Sequence, residues 1–192
     1  NLAFYEKFGF KGIKALERII EHINGRAITI ADGKRGDIGN TTEQYAVATF
    51  EKMGFDSITV SPYMGSDSIK PFIKNKIKGA FVLCLTSNKS ASDFQFIKDG
   101  ECTLYQKVSQ IAVKLNSKNN IGLVVGATKS KYMKSLIKFS KGLNWLMPGI
   151  GAQGGDLEKS LTICKNADKI GIINVSRGIL YAGKGSIEDI VG

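Results

Sequence analysis

Six short apolar runs recur along the chain, at 26–31, 57–61, 80–85, 121–126, 144–147 and 169–174, and each is followed by a stretch with helical spacing. That alternation constrains the fold more than any other feature, because strands joined through helices can only lie side by side in a parallel sheet. The run at 80–85 is apolar throughout, as a strand covered on both faces is. The spacing predicts a first helical stretch with Leu16, Ile19, Ile20 and Ile23 on one face, closed by Asn24-Gly25. Further helices are predicted over 42–53, 102–115, 129–139 and 157–165, with short ones over 67–74 and at the C-terminus. No linker or low-complexity segment divides the 192 residues, which read as a single domain over 1–192.

Two architectures fit this rhythm: an open doubly wound sheet, or an eight-stranded barrel with two strands outside the sequence. A dinucleotide-binding sheet would carry its glycine-rich phosphate loop after the first strand. Nothing glycine-rich stands there. The glycines gather instead at 149–155, and Arg177 follows the last apolar run, the two positions after which barrels commonly build a phosphate site. The expectation is therefore an α/β chain of the (β/α)8 TIM barrel class.

The loop after the first run concentrates charge: Asp32, Lys34 and Asp37 fall within six residues. Residues two apart on an extended segment point the same way, so Asp32 and Lys34 should emerge together at the strand's end. A solvated loop capping the next helix, with Asn40, Thr41 or Thr42 as N-cap and Glu43 in the first turn, accounts for the polar residues after Gly39. It gives no reason for opposite charges side by side at Asp32 and Lys34, whereas active sites concentrate such pairs at strand ends.

Composition excludes several kinds of chemistry. His22 is the only histidine and falls late in the first helical stretch, which nearly excludes histidine triads and His-rich metal sites and leaves proton transfer to Asp, Glu, Lys or Tyr. Cys84, Cys102 and Cys164 have no metal-ligand spacing and read as reduced thiols of a cytoplasmic protein. No run has the length of a membrane span. The formal charge of +10 raises nucleic-acid binding, but the lysines are spread along predicted helices without interleaved aromatic residues. A diffuse positive field also suits a small polyanionic substrate.

The segment Gly149-Ile150-Gly151-Ala152-Gln153-Gly154-Gly155-Asp156 would let backbone amides approach an anion, with Gln153 as a further donor, although a tight turn into a helix needs the same glycines. Arg177 has the planar fork that suits phosphate; an isolated arginine is as often a surface ion pair. Thr86, Ser87 and Asn88 offer hydroxyl and amide groups to a heterocycle, or to solvent. Tyr63 and Met64 read as packing.

Together these segments resemble a known family. Asp32-Gly33-Lys34-Arg35-Gly36-Asp37-Ile38-Gly39-Asn40-Thr41 is similar to the Asp-x-Lys-x-x-Asp signature of the orotidine 5'-phosphate decarboxylases, in the branch with Lys-Arg-Gly-Asp-Ile-Gly. The run from Pro148 to Asp156 resembles the family's phosphate loop, and Ser176-Arg177-Gly178 its closing phosphate-binding turn. Leu85-Thr86-Ser87-Asn88 and Val124-Val125-Gly126-Ala127-Thr128 match in the same order. The family places a strand with an aspartate, then a Lys-x-Asn segment, ahead of the position of Asn1. By that resemblance Asn1 is the segment's asparagine, the first barrel strand and most of the second are missing, and the end at Gly192 falls early for a final barrel helix.

The resemblance implies decarboxylation of orotidine monophosphate to uridine monophosphate with no metal and no organic cofactor. Lys34 would be the proton donor, with Asp32 and Asp37 beside it. Asp37, Ile38 and Thr41 would reach into the partner's site of a homodimer. Asn1 would contact ribose or phosphate, Ser87 the pyrimidine, and Pro148 would line the pocket. Gln153, the Ser176 backbone and Arg177 would hold the phosphate. The alternative is a metal-dependent sugar-phosphate decarboxylase or hexulose-phosphate synthase of the same superfamily. Neither reading implies a nucleic acid or a membrane as partner.

Overall fold

The computed structural model describes residues 1–151 and 154–180, which fall into two compact units. The first holds Asn1–Leu83 and Lys114–Gly122, the second Cys84–Val113 and the residues from Leu123 onward.

In the first unit, helices α1 (Ala3–Glu6) and α2 (Gly9–Ile23) precede strand β1 (Ile30–Arg35). Helix α3 (Gly39–Val47) follows, continued by a π-helical turn over Ala48–Lys52, and then strand β2 (Ser57–Val60). Two 3-10 turns lead on to β3 (Gly79–Leu85). Strands β1 and β2 are parallel, as are β2 and β3, and the start of β6 (Ile121–Val125) lies next to β3. Every residue of β2 is buried, which fits a parallel strand covered on both faces. Ile58, Val60, Ile69, Phe72 and Val82 form the centre of this unit's core.

In the second unit the end of β3 opens into a 3-10 turn and a small antiparallel pair, β4 (Lys98–Asp99) and β5 (Cys102–Thr103). Helix α4 (Leu104–Leu115) leads to β6, helix α5 (Ser130–Leu136) to β7 (Asn144–Pro148), and helix α6 (Leu157–Asn166) to β8 (Gly171–Asn174). A short helix, α7 (Arg177–Leu180), comes last. The strand order is β6-β7-β8, with β7 and β8 parallel. Leu123, Val125, Met133, Leu136, Trp145 and Met147 are fully buried there. In both units the neighbouring sheet strands follow chain order without the reversal of a doubly wound sheet. That is the barrel expectation.

Several boundaries differ from the sequence reading. The first strand lies at 30–35 rather than 26–31, so Asp32 and Lys34 belong to the strand itself. Helix α3 begins at Gly39 with Ile38 as its N-cap and no side-chain cap, so Asn40, Thr41 and Thr42 do not serve that role. Asn24 closes α2 in the left-handed conformation, its N–H donating to Ile20 O, as expected. Of the predicted apolar face of α2, Leu16 is buried while Ile19 is exposed.

Candidate active site

Strand β1 builds the charge cluster. Ala31 pairs with Ile58 and Arg35 with Val60, so three β1 residues stand against one of β2. Lys34 takes up the excess with φ at 48°, a left-handed conformation that is uncommon for a residue other than glycine. Its Nζ reaches Asp32 Oδ1 at 2.7 Å. Asp32 also accepts from Asn1 Nδ2 at 2.8 Å on Oδ2 and from the Thr59 hydroxyl at 2.9 Å on Oδ1. Asp32 is thus fixed on three sides, while about half of the Lys34 side chain remains open to solvent, at 48% against 27% for Asp32. Burial pushes the Asp32 carboxyl up, but the Lys34 hydrogen bond and charge, helped by the Thr59 hydroxyl, outweigh it and hold the group below its ordinary value.

Asp37 stands outside this network among the described residues; its carboxylate accepts the Ile38 N–H at 2.8 Å. Ile38 and Thr41 are exposed, Thr41 in the first turn of α3. Arg35 pairs with Glu6 and lies over the Tyr45 ring, 5.3 Å from its centroid. The structure therefore joins Asn1, Asp32 and Lys34, and it gives Asp37, Ile38 and Thr41 no hydrogen bond to that network among the described residues. Sequence reasoning missed Thr59. Its signal was a hydroxyl between Ile58 and Val60 in the strand opposite the charged one.

The remaining candidates lie in the second unit. Gly126 N–H donates to Leu85 O at 2.6 Å, and a Cβ at Gly126 would fall 2.8 Å from Ser87 N, so only a glycine lets the Ser87 backbone lie so close. Thr86, before it, is gripped by Gln95: its N–H donates to Gln95 Oε1 at 2.9 Å and its hydroxyl accepts from Gln95 Nε2 at 2.7 Å. Pro148 ends β7. Gly149, Gly151 and Gly154 all have positive φ, Gly155 N–H donates to Gly149 O at 2.9 Å, and a Cβ at Gly155 would fall 2.5 Å from that oxygen. The glycines are thus required by the turn itself. Asp156 caps α6 by accepting the Lys159 N–H at 2.9 Å. Ser176 O accepts the Ile179 N–H at 3.0 Å, and Arg177 opens α7. Gln153 lies outside the described residues.

A sequence model of the orotidine 5'-phosphate decarboxylase / HUMPS family matches residues 1–187. An orotidine 5'-phosphate decarboxylase of Dehalococcoides mccartyi (strain BAV1) is 48% identical over 191 residues, covering 97% of this chain and 71% of the relative. The structure of Leishmania donovani OMP decarboxylase superposes with a TM-score of 0.90 at 37% identity, over 100% of this chain and 74% of that one. The structure of Leishmania donovani UMP synthase gives the same TM-score at 39% identity, and this chain spans 42% of it. With a family match over nearly its whole length, near-half identity to a curated member and the strand order of the fold, the chain belongs to the orotidine 5'-phosphate decarboxylase / HUMPS family.

Proposed function

We propose that Lys34 is the proton donor when orotidine 5'-phosphate is decarboxylated to uridine 5'-phosphate, the carboxy-lyase reaction of this chain. Loss of CO2 leaves an electron pair at C6 of the pyrimidine with little delocalisation. The site must place positive charge at that carbon and then deliver a proton. The observation that carries the reading is the Lys34–Asp32 pair: an ammonium held at 2.7 Å by a carboxylate that is itself fixed by Asn1 and Thr59, on a side chain about half exposed. Asp32 orients the ammonium and presents negative charge beside it, where the departing carboxylate of the substrate would lie.

Asp37, Ile38 and Thr41 serve the neighbouring protomer's site in a homodimer. The exposure of Ile38 and Thr41, and the place of half-buried Asp37 on the loop after β1 without a hydrogen bond to the Lys34 network among the described residues, support that role. Ser87 faces the pyrimidine, Pro148 lines the pocket, and Gln153, the Ser176 backbone and Arg177 hold the phosphate. Asn1 contributes to the ribose or phosphate. Binding energy from that remote phosphate is available to stabilise the transition state. The chemistry needs no metal or organic cofactor, and the protein works in the cytoplasm; among the described residues no helix is long and apolar enough to cross a membrane.

The test is the loss of orotidine monophosphate absorbance on addition of the full-length protein, with and without a chelator. Turnover unaffected by chelation is the expected result. Turnover abolished by chelation and restored by a divalent cation would assign the metal-dependent alternative.

A further inference from the structure

The excess of β1 over β2 has one residue opposite it. Between the Ala31–Ile58 and Arg35–Val60 pairs, Asp32, Gly33 and Lys34 face Thr59 alone. A bulge takes backbone groups off the strand ladder and re-aims the side chains it carries. The Lys34 N–H is such a group, and it donates to Thr59 Oγ1 at 2.9 Å. The same hydroxyl donates its own proton to Asp32 Oδ1 at 2.9 Å, and that oxygen receives Lys34 Nζ. One oxygen atom thus ties down both the backbone of the lysine and the carboxylate that holds its head. Thr59 is 1% exposed, so water does not compete for either bond. Ile58 and Val60 on each side are wholly apolar and buried, and valine would fill the Thr59 position with the same shape. Packing does not call for the hydroxyl.

We infer that Thr59 is a positioning residue for the decarboxylation, its hydroxyl holding the β1 bulge so that the Lys34 ammonium and the Asp32 carboxylate act as one unit. This rests on Lys34 being the proton donor. Without the hydroxyl, the Lys34 N–H loses its acceptor and its left-handed backbone loses the bond that fixes it. Asp32 loses one donor. The groups facing Asp32 are then the Lys34 ammonium from β1 and the Asn1 carboxamide. Removing a donor to a carboxylate raises its pKa.

The experiment uses Thr59→Val, Thr59→Ala and Thr59→Ser in the full-length protein. It reads kcat and KM for orotidine monophosphate, together with the NMR titration of the Asp32 side-chain carboxyl carbon. Misplacement of a reacting group by about an ångström costs on the order of a hundredfold in rate. Thr59→Val is therefore expected to lower kcat about 30- to 100-fold with KM changed less than about threefold. The Asp32 midpoint should move up. Thr59→Ser, which keeps the hydroxyl, should recover most of kcat and return the midpoint. Should Thr59→Val not accumulate as folded protein, Thr59→Ala carries the same two readings. Parent-like kcat with an unmoved Asp32 midpoint in the folded hydroxyl-free variant would overturn the inference, as would a serine variant impaired as much as valine. Full turnover in Lys34→Ala would instead remove the proton-donor reading, so the two failures are distinguishable.

Discussion

Gly126→Ala is the substitution whose cost the structure sets most directly. The added Cβ would lie 2.8 Å from Ser87 N and 3.0 Å from both Ser87 Cα and Cβ. Contacts between such atoms normally begin near 3.4 Å, so the two segments must part by several tenths of an ångström. None of these atoms is the end of a flexible side chain that can rotate away. Gly126 itself has φ at −65°, so alanine brings no backbone strain, and the whole effect is overpacking. Such insertions cost about 1–3 kcal/mol. At about 2–4 °C per kcal/mol for a chain of this size, the melting temperature should fall by about 2–12 °C. Because the displaced residue is Ser87, affinity for the nucleotide should also fall, while Thr86 stays gripped by Gln95. Thermal unfolding and KM measured side by side check both parts. A melting temperature within about one degree of the parent and an unchanged KM would refute the close approach on which the reasoning depends.

Three further outcomes follow from the same geometry and assignments. Arg177→Ala should weaken binding of the nucleotide far more than that of the phosphate-free nucleoside, since a charge-assisted bond is lost only in the former; titration calorimetry with both ligands reads the difference, and equal losses would place Arg177 elsewhere. Mixing inactive Lys34→Ala protomers with inactive Asp37→Ala protomers should restore part of the activity, because one site of each hybrid dimer holds both intact residues; no recovery after verified exchange counts against shared sites. Burial pushes the Asp56 carboxyl up, but the Thr29 N–H and hydroxyl, each at 2.8 Å, and Lys78 outweigh it and hold the group below its ordinary value. A depressed folded-state pKa gives stability that is present above the unfolded value and lost as pH falls through the folded one. The advantage of the parent over Asp56→Asn in urea unfolding should therefore be full at pH 7 and shrink below about pH 4.

How far the sequence reveals this molecule depends on the element. Strands β2 and β6, buried at every residue, were legible from their apolar residues; β3 was legible as an apolar run too, but it is not covered on both faces as expected, since Gly79, Phe81 and Leu83 are half-buried between buried neighbours. Strand β1 was misplaced because three of its last four residues, Asp32, Lys34 and Arg35, are charged: Lys34 and Asp32 neutralise one another, Arg35 pairs with Glu6, and no apolar signal marks the segment. The pair itself was predicted from alternation along a strand, yet it forms across a bulge with Lys34 in the left-handed region, a geometry that alternation does not encode. The β4–β5 hairpin was missed although Asp99-Gly100 offers a turn signal, since two-residue strands carry no periodicity. The α2 face was overread: helical spacing reports which residues share a side, not whether another element covers that side, and Ile19 is left exposed. The glycines of 149–155 were readable as a tight loop; which of them need positive φ and which a close backbone approach emerged only from the structure.

The central claim is that one ammonium both stabilises the developing carbanion and protonates it. Replacing Lys34 with alanine in the full-length protein, and measuring decarboxylation of orotidine monophosphate beside nucleotide binding, tests it most directly. With the proton donor and the local positive charge both removed, kcat should fall by about ten-thousandfold or more. Nucleotide binding should persist through the phosphate contacts, and Lys34→Arg should restore little, because arginine keeps charge but gives up its proton poorly. A Lys34→Ala protein that retains substantial decarboxylation would contradict the account.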